Sequence, residues 1–199
     1  LSKMIDCQME YHPNLGGWLP ARDENLQTSI PGLIMVGDCS GIGGAEASRL
    51  EGKTAGCVIA KTQGKLEDSN FREIIRGLKP KFSQQRRFGE MLGNLFSPNP
   101  GLIALAKDDT LLCRCEEITL GEVKSAVAAG ARTIGEVKMI TRTGMGNCQG
   151  RMCERSVAAA IAQELSGGQS AVQEIGAYTV RPPLHPLPVG YFEQVEIDD

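Results

Sequence analysis

Four of the seven cysteines in this sequence fall into a pattern that could do chemistry. Cys113-x-Cys115 is followed, beyond residues 116–147, by Cys148-x-x-x-x-Cys153. Two close pairs separated in this way are spaced like ligands of one centre, and ligation by cysteine alone suits an iron-sulfur cluster, hence electron transfer. Residues i and i+2 of an extended segment point the same way, so Cys113 and Cys115, after apolar Leu111-Leu112, are expected to present both thiolates together. The second pair lies in Thr143-Gly-Met-Gly-Asn-Cys-Gln-Gly-Arg-Met-Cys153. Gly144, Gly146 and Gly150 permit positive φ and close backbone approach there. An apolar helical pattern, Val157, Ile161 and Leu165, starts just beyond, so N–H groups of the loop and first turn are free to bond cluster sulfurs and to favour negative charge.

Two other chemistries compete for these residues. Structural zinc usually takes knuckles with two to four residues between cysteines, and Cys-x-Cys fits that poorly. Disulfides need an oxidising compartment, and seven cysteines cannot all pair internally. A 2Fe-2S centre is therefore the expectation, with zinc as its alternative. Cys7 and Cys57 sit in apolar surroundings and read as small hydrophobes. Cys39 adjoins a glycine-rich loop and reads as structural filler.

The elements that must position these groups are bounded by composition. The 199 residues are 41% hydrophobic, enough for one or two small domains. A net charge of -3 argues against general nucleic-acid binding, and no apolar run approaches the ~20 residues that span a bilayer. The chain begins with Leu1, so a fragment or a processed product is expected and targeting is not legible from its start. Arg72, Arg76, Lys79, Lys81, Arg86 and Arg87 crowd one stretch and read as a solvated helix face, while Glu193, Glu196, Asp198 and Asp199 make the tail acidic.

In chain order, Ile5, Cys7, Met9 and Tyr11 alternate with polar neighbours and predict a strand. Pro13, Gly16, Gly17 and Pro20 mark loop. Leu33 to Val36 is a continuous apolar run that predicts a strand ending in Gly37-Asp38, followed by Cys39-Ser-Gly-Ile-Gly-Gly-Ala-Glu46 and a helix to about Thr62. Strand, glycine-rich turn and helix would place Asp38 at the C-terminal edge of a sheet, where α/β proteins bind cofactors. Gly43 and Gly44 would let a ligand approach the amides of the helix start. The usual dinucleotide fingerprint is not matched, because Gly41-x-Gly43-x-x-Glu46 lacks the third glycine.

Thr28 through Gly56 resembles the second FAD-contacting motif of the two-dinucleotide-binding-domain flavoproteins, the glutathione-reductase-like class. The resemblance implies that Gly37-Asp38 carries the carboxylate that bonds the FAD ribityl chain, and that Gly43, Gly44 and Ala45 open the helix aimed at the flavin's pyrimidine end. No G-x-G-x-x-G follows a strand near residue 1, so a complete FAD site is expected to need residues upstream.

Phe71, Ile74, Ile75 and Leu78 predict an amphipathic helix capped by Ser69 or Asn70 and ended by Pro80. Phe88, Met91, Leu92, Leu95 and Phe96 predict a second, packed in a core or between domains. Ser97-Pro-Asn-Pro-Gly101 is the clearest break. Thr119-x-x-Glu122 and Thr133-x-x-Glu136 are capping boxes heading short helices, with Gly130 ending the first. A third helix is expected from about Cys153 to Leu165, stopped by Gly167-Gly168. Arg181-Pro-Pro-Leu-His-Pro-Leu-Pro188 predicts an extended arm in which His185 is a surface residue.

Cys113-Arg-Cys-Glu-Glu-Ile-Thr119 and Lys138-x-x-Thr-Arg-x-Gly-Met-Gly-x-Cys-Gln-Gly-Arg-x-Cys153 resemble the 2Fe-2S domain of the bacterioferritin-associated-ferredoxin (BFD) type. The longer second spacing looks like the version fused to the FAD subunit of opine oxidases, hydrogen cyanide synthase and dye-linked proline or hydroxyproline dehydrogenases. The fold this implies is α+β, the C-terminal piece of a two-dinucleotide-binding-domain flavoprotein (residues 1–66), a helical linker (67–107), a small mainly helical 2Fe-2S domain (108–168) and the arm (169–199). The implied cofactors are a 2Fe-2S cluster and FAD. The implied function is that of the electron-transferring part of an amine or amino-acid dehydrogenase. Its implied partners are an electron acceptor and a companion catalytic subunit that contains flavin. A cytoplasmic location is expected, with a peripheral position at the inner membrane as its alternative. No residue here is assigned a catalytic role, and Arg114, Arg142 and Arg151 are expected to tune the cluster. The competing expectation is a non-catalytic ferredoxin-like module whose FAD-like segment is only scaffold.

Overall fold

Gly16 and Gly17, at φ +116° and +102°, turn the chain between β1 (Met9–His12) and β2 (Gly17–Pro20). The pair is antiparallel, with Met9 opposite Pro20, and Tyr11 stacks obliquely on Trp18 at 5.4 Å between ring centroids. This computed structural model describes residues 1–99, 101–166, 172–183 and 187–194. Ahead of β1, the expected strand gives way to a 3-10 turn over Ser2–Ile5, and Ile5 is half exposed.

Leu33–Val36 is extended but is not a strand. Its described pairing is a single bridge, Ile34 to Gln27, and all four residues are half-buried. Apolar side chains favour such a run, but a ladder needs a neighbouring strand to take its N–H and C=O groups. The Thr28 hydroxyl shapes the approach. It accepts from Ile30 N–H at 3.2 Å and donates to Leu33 C=O at 3.1 Å, closing a turn around Gly32 at φ +79°.

Helix α1 (Ala45–Thr62) buries Ala47, Leu50, Ala55 and Val58 on one face. Helix α2 (Asp68–Leu95) runs unbroken through Pro80, where two helices had been expected, and it starts at Asp68 rather than behind a Ser69 or Asn70 cap. Proline removes one N–H and crowds the preceding turn. Here Pro80 is exposed, so water can take the freed carbonyl. The basic side chains of α2 are exposed as expected, and so are Phe88, Met91, Leu95 and Phe96 of its second apolar stripe. Two glycines let α2 cross the N-terminal loops closely. A Cβ on Gly89 would sit 3.2 Å from the Gly43 Cα, and one on Gly93 would overlap the Asn14 carbonyl.

After the short α3 (Gly101–Ala104) comes the small domain. A hairpin, β3 (Leu111–Cys113) and β4 (Ile118–Thr119), leads into α4 (Leu120–Ala128), α5 (Ile134–Thr141) and α6 (Glu154–Ser166). Both capping boxes form: Thr119 and Thr133 hydroxyls accept from Glu122 and Glu136 N–H, and those carboxylates accept in return from the threonine N–H groups. Gly130, at φ +111°, ends α4. Val123, Val127, Ile134, Val137, Val157 and Ile161 fill one core between the three helices. The arm is not simply extended. Val172–Ile175 forms α7, burying Val172 and Ile175 on that core, and Val189–Gln194 is a 3-10 turn. Gly167, Gly168 and His185, with the acidic tail at Glu196, Asp198 and Asp199, lie outside the described residues.

The two halves meet at the start of α6. Lys3 Nζ lies 3.3 Å from Glu154 Oε1, the Arg155 guanidinium donates to the Pro13 carbonyl at 2.9 Å, and Tyr11 packs on the small domain's core. No described helix is long and apolar enough to cross a membrane.

Candidate metal centre

The two loops expected to supply sulfur do come together. Cys113, at the end of β3, and Cys153, just ahead of α6, are each 1% exposed. Cys115 is exposed and Cys148 half-buried. The thiols meet across the loops as two pairs, Cys113 with Cys153 on the buried side and Cys115 with Cys148 at the surface, and electrostatic contact links Cys113 to Cys115 and Cys148 to Cys153. Among the described residues no three His, Cys, Asp or Glu side chains close around a single ion. Paired thiols suit a binuclear centre, in which four cysteines are shared between two irons.

Cys115 reaches its place differently from expectation. Past Cys113 the chain leaves the strand for a turn over residues 114–117 that ends at Glu117 with φ +56°, so Cys113 points into the core and Cys115 outward.

The second loop is a glycine cradle. Gly144 N–H lies 3.5 Å from Cys113 Sγ, and the Met152, Gly150 and Arg151 N–H groups point at the Cys148 sulfur. A Cβ on Gly146 would overlap that of Cys115, and one on Gly144 would come within 2.7 Å of the Tyr178 ring. Gly150, at φ +78°, is closed to a Cβ by the same ring. Four sulfurs with backbone amides turned toward them are a donor set of the kind a 2Fe-2S cluster takes.

Backbone donors and burial pull the thiols in opposite directions. The Met152 N–H holds Cys148 below the usual thiol range. The Cys115 thiol is raised: a backbone bond from Cys148 pulls it down, and the shared thiol contact with Cys148 together with desolvation outweighs it. Burial pushes Cys153 up to about 11, against the pull of the Tyr178 hydroxyl. Tyr178 itself is pushed well above the ordinary phenol range, by burial first and then by Cys153. Burial therefore disfavours the Cys153 thiolate unless nearby positive charge offsets it.

The arginines divide. All three are exposed, but Arg142 also caps α5 in the left-handed region at φ +67° and its Nε lies 3.1 Å from Glu116 Oε2. Cys7 is buried with its thiol 3.7 Å from the Thr28 hydroxyl, and Cys57 is half-buried, as small hydrophobes would be. Cys39 is exposed and so is not packing filler.

The predicted FAD loop has its own framework. Gly37, at φ +78°, leads into a 3-10 turn over Asp38–Ser40, and the Asp38 side chain is exposed. Sequence reasoning missed what holds that turn. Glu51 accepts from Gly37 N–H at 2.6 Å and from the Ser40 hydroxyl at 3.4 Å, and pairs with Arg22 at 3.1 Å. Arg22 also donates to the Met35 carbonyl at 2.8 Å and the Ser40 carbonyl at 3.3 Å. An arginine in a loop and a glutamate on a helix 29 positions apart carry no local signal. Gly43, whose added Cβ would meet Ala47 at 3.0 Å, packs on α1, and Gly44 and Ala45 open α1 without a side-chain cap. Gly43, Gly44 and Ala45 line a cavity of about 530 Å³ together with Phe88, Leu92 and Arg155.

Residues 111–163 match the BFD-like 2Fe-2S binding domain, and this segment belongs to that class of electron-transfer domain. The chain as a whole is similar to opine oxidase and hydrogen cyanide synthase subunits. It is 35% identical to an opine oxidase subunit of Rhizobium meliloti over 192 residues, 96% of this chain and 40% of that protein. It is 31% identical to hydrogen cyanide synthase subunit HcnB of Pseudomonas protegens over 166 residues, 83% of this chain and 34% of that one. The fold is that of part of L-proline dehydrogenase from P. horikoshii, with a TM-score of 0.66 at 21% identity over 93% of this chain and 34% of that one. The chain thus spans 34% to 40% of the length of these proteins.

Proposed function

We propose that Cys113, Cys115, Cys148 and Cys153 hold a 2Fe-2S cluster, and that the chain is the electron-transferring portion of an FAD-dependent oxidoreductase subunit. In that reading electrons come from oxidation of an amine or amino-acid C–N bond, with a companion flavin-containing subunit, and leave to an acceptor. The observation that carries it is the meeting of four thiols from two loops, one pair buried and one at the surface. Bound there, the cluster supplies one-electron transfer and leaves bond chemistry to flavin.

The chain's own residues divide the remaining work. Gly144 N–H and the amides around Cys148 orient the sulfurs and offset their negative charge. The core behind Cys113 and Cys153 excludes water on one side, while exposed Cys115 gives a partner its nearest approach. For FAD, Asp38 on the Gly37 turn would accept from the ribityl chain, and Gly43, Gly44 and Ala45 would present uncapped amides. Support comes from the relatives, which are named as an opine oxidase, a hydrogen cyanide synthase and an L-proline dehydrogenase. Proline is itself an amine with an oxidisable C–N bond.

Anaerobic purification with iron, sulfide, zinc and flavin analysis tests the reading. Iron and sulfide should be equimolar, and a paramagnetic signal should appear on reduction. Serine at any one of the four cysteines should abolish or strongly shift that signal, while Cys7→Ser and Cys57→Ser leave it intact. Stoichiometric zinc without acid-labile sulfide would overturn it.

A further inference from the structure

Tyr178 lies outside the residues matched to the 2Fe-2S domain, yet it is 4% exposed and packed into the ligand loops. Its ring occupies the space that side chains on Gly144 and Gly150 would need, so these glycines fit the tyrosine as much as the backbone turn. Its hydroxyl lies 3.9 Å from Cys153 Sγ. Two contacts, one of them braced by a further ion pair, hold Tyr178 there. Tyr178 N–H donates to Glu154 Oε2 at 3.0 Å, that glutamate's other oxygen faces Lys3, and the Lys138 ammonium lies 5.4 Å from the ring centroid. The residue that closes the buried side of the centre thus comes from the chain beyond α7, with no role in sulfur ligation.

We propose that Tyr178 positions and tunes the centre: its hydroxyl donates to the Cys153 sulfur, and its ring shuts water out from the Cys113–Cys153 side. A metal-bound thiolate has no proton, so of the two groups the phenol is the donor. A hydrogen bond to a ligand sulfur favours the state with more electron density on that sulfur, and therefore raises the reduction potential. The inference rests on the four-cysteine cluster proposed above and adds a residue to it.

The test is the midpoint potential of the 199-residue protein, after its iron and sulfide have been confirmed. Tyr178→Phe removes the hydroxyl and keeps the ring. With the cluster in place, reduction should become roughly five- to tenfold less favourable, or about 40–60 mV lower at 59 mV per tenfold for one electron. A packing role alone would leave the potential where it was, and an unchanged potential in the loaded variant overturns the proposal. Should Tyr178→Phe fail to load, 3-fluorotyrosine at position 178 keeps the shape and strengthens the donor. It should raise the potential, and no rise overturns the inference as well. Wild-type protein without iron and sulfide would instead sink the cluster reading, and this inference with it.

Discussion

A cluster held by four thiolates becomes more negative when reduced, so a fixed cation beside it favours reduction, less strongly the more it is exposed to screening solvent. That separates the three arginines expected to act alike. All three stand exposed beside the ligands, and what sets Arg142 apart is Glu116 at 3.1 Å, which offsets its charge. Arg114→Gln and Arg151→Gln should each lower the reduction potential by about 10–40 mV, on the scale of 59 mV per tenfold, with melting temperature unchanged. Arg142→Gln should shift it less. Protein-film voltammetry with thermal melts decides; equal shifts in all three, or cluster loss in the first two, would refute the division. Cysteine spacing was legible because ligands cluster in sequence. Cys115's outward placement was not, because it follows from an irregular turn with a non-glycine residue at positive φ; the division of the arginines and Tyr178 were not, because each depends on a contact with another segment.

Local rules read the elements well wherever all partners lie within four residues. In the capping boxes each threonine and glutamate satisfies the other, whatever surrounds them. Thr133→Ala should therefore cost about 1 kcal/mol, measured by urea unfolding. The Arg132 N–H and then the Thr133 N–H hold the Glu136 carboxyl below its ordinary value of 4.5. A depressed folded value means that this contribution is present above pH 4.5, the unfolded value, and is lost as pH falls through the lower folded one. The gap between wild type and Glu136→Gln, which cannot carry that charge, should narrow on acidification below that pH. The rules failed where distant segments decide. Pro80 was expected to end a helix, but Phe71, Ile75, Leu78 and Phe82 of α2 face one lining that includes Leu26 and Thr54, which favours one continuous element. Pro80→Ala returns the missing N–H to the Arg76 carbonyl and should stabilise by about 1–3 kcal/mol. No gain in a urea melt would mean that α2 is broken there. Leu33–Val36 failed for the converse reason: strand composition does not supply a neighbour to pair with.

At the scale of the whole molecule, the two proposed cofactor sites converge. The cavity lined by Gly43, Gly44 and Ala45 also touches Arg155, two positions from Cys153, and the Arg155 bond to Pro13 ties the halves together at that point. The motif around Asp38 was legible in sequence, since glycines and an aspartate at a turn are local. Its support was not: the Arg22–Glu51 pair, whose side chains are 8% and 9% exposed, is what fixes the Gly37–Ser40 turn. Because the sites share a boundary but no ligand, each should be removable alone. Residues 1–199 lack a G-x-G-x-x-G, so this chain by itself should bind FAD weakly. In any longer polypeptide that carries the chain and binds FAD, Asp38→Ala removes one charge-assisted hydrogen bond of ~1.5–3 kcal/mol and should weaken FAD roughly ten- to a hundredfold. Iron and sulfide should stay at wild-type levels, and Cys148→Ser should show the opposite pattern. Flavin titration beside iron and sulfide analysis checks both. Tight FAD binding by residues 1–199 alone, or cluster loss on Asp38→Ala, would show that the sites are not separable in this way.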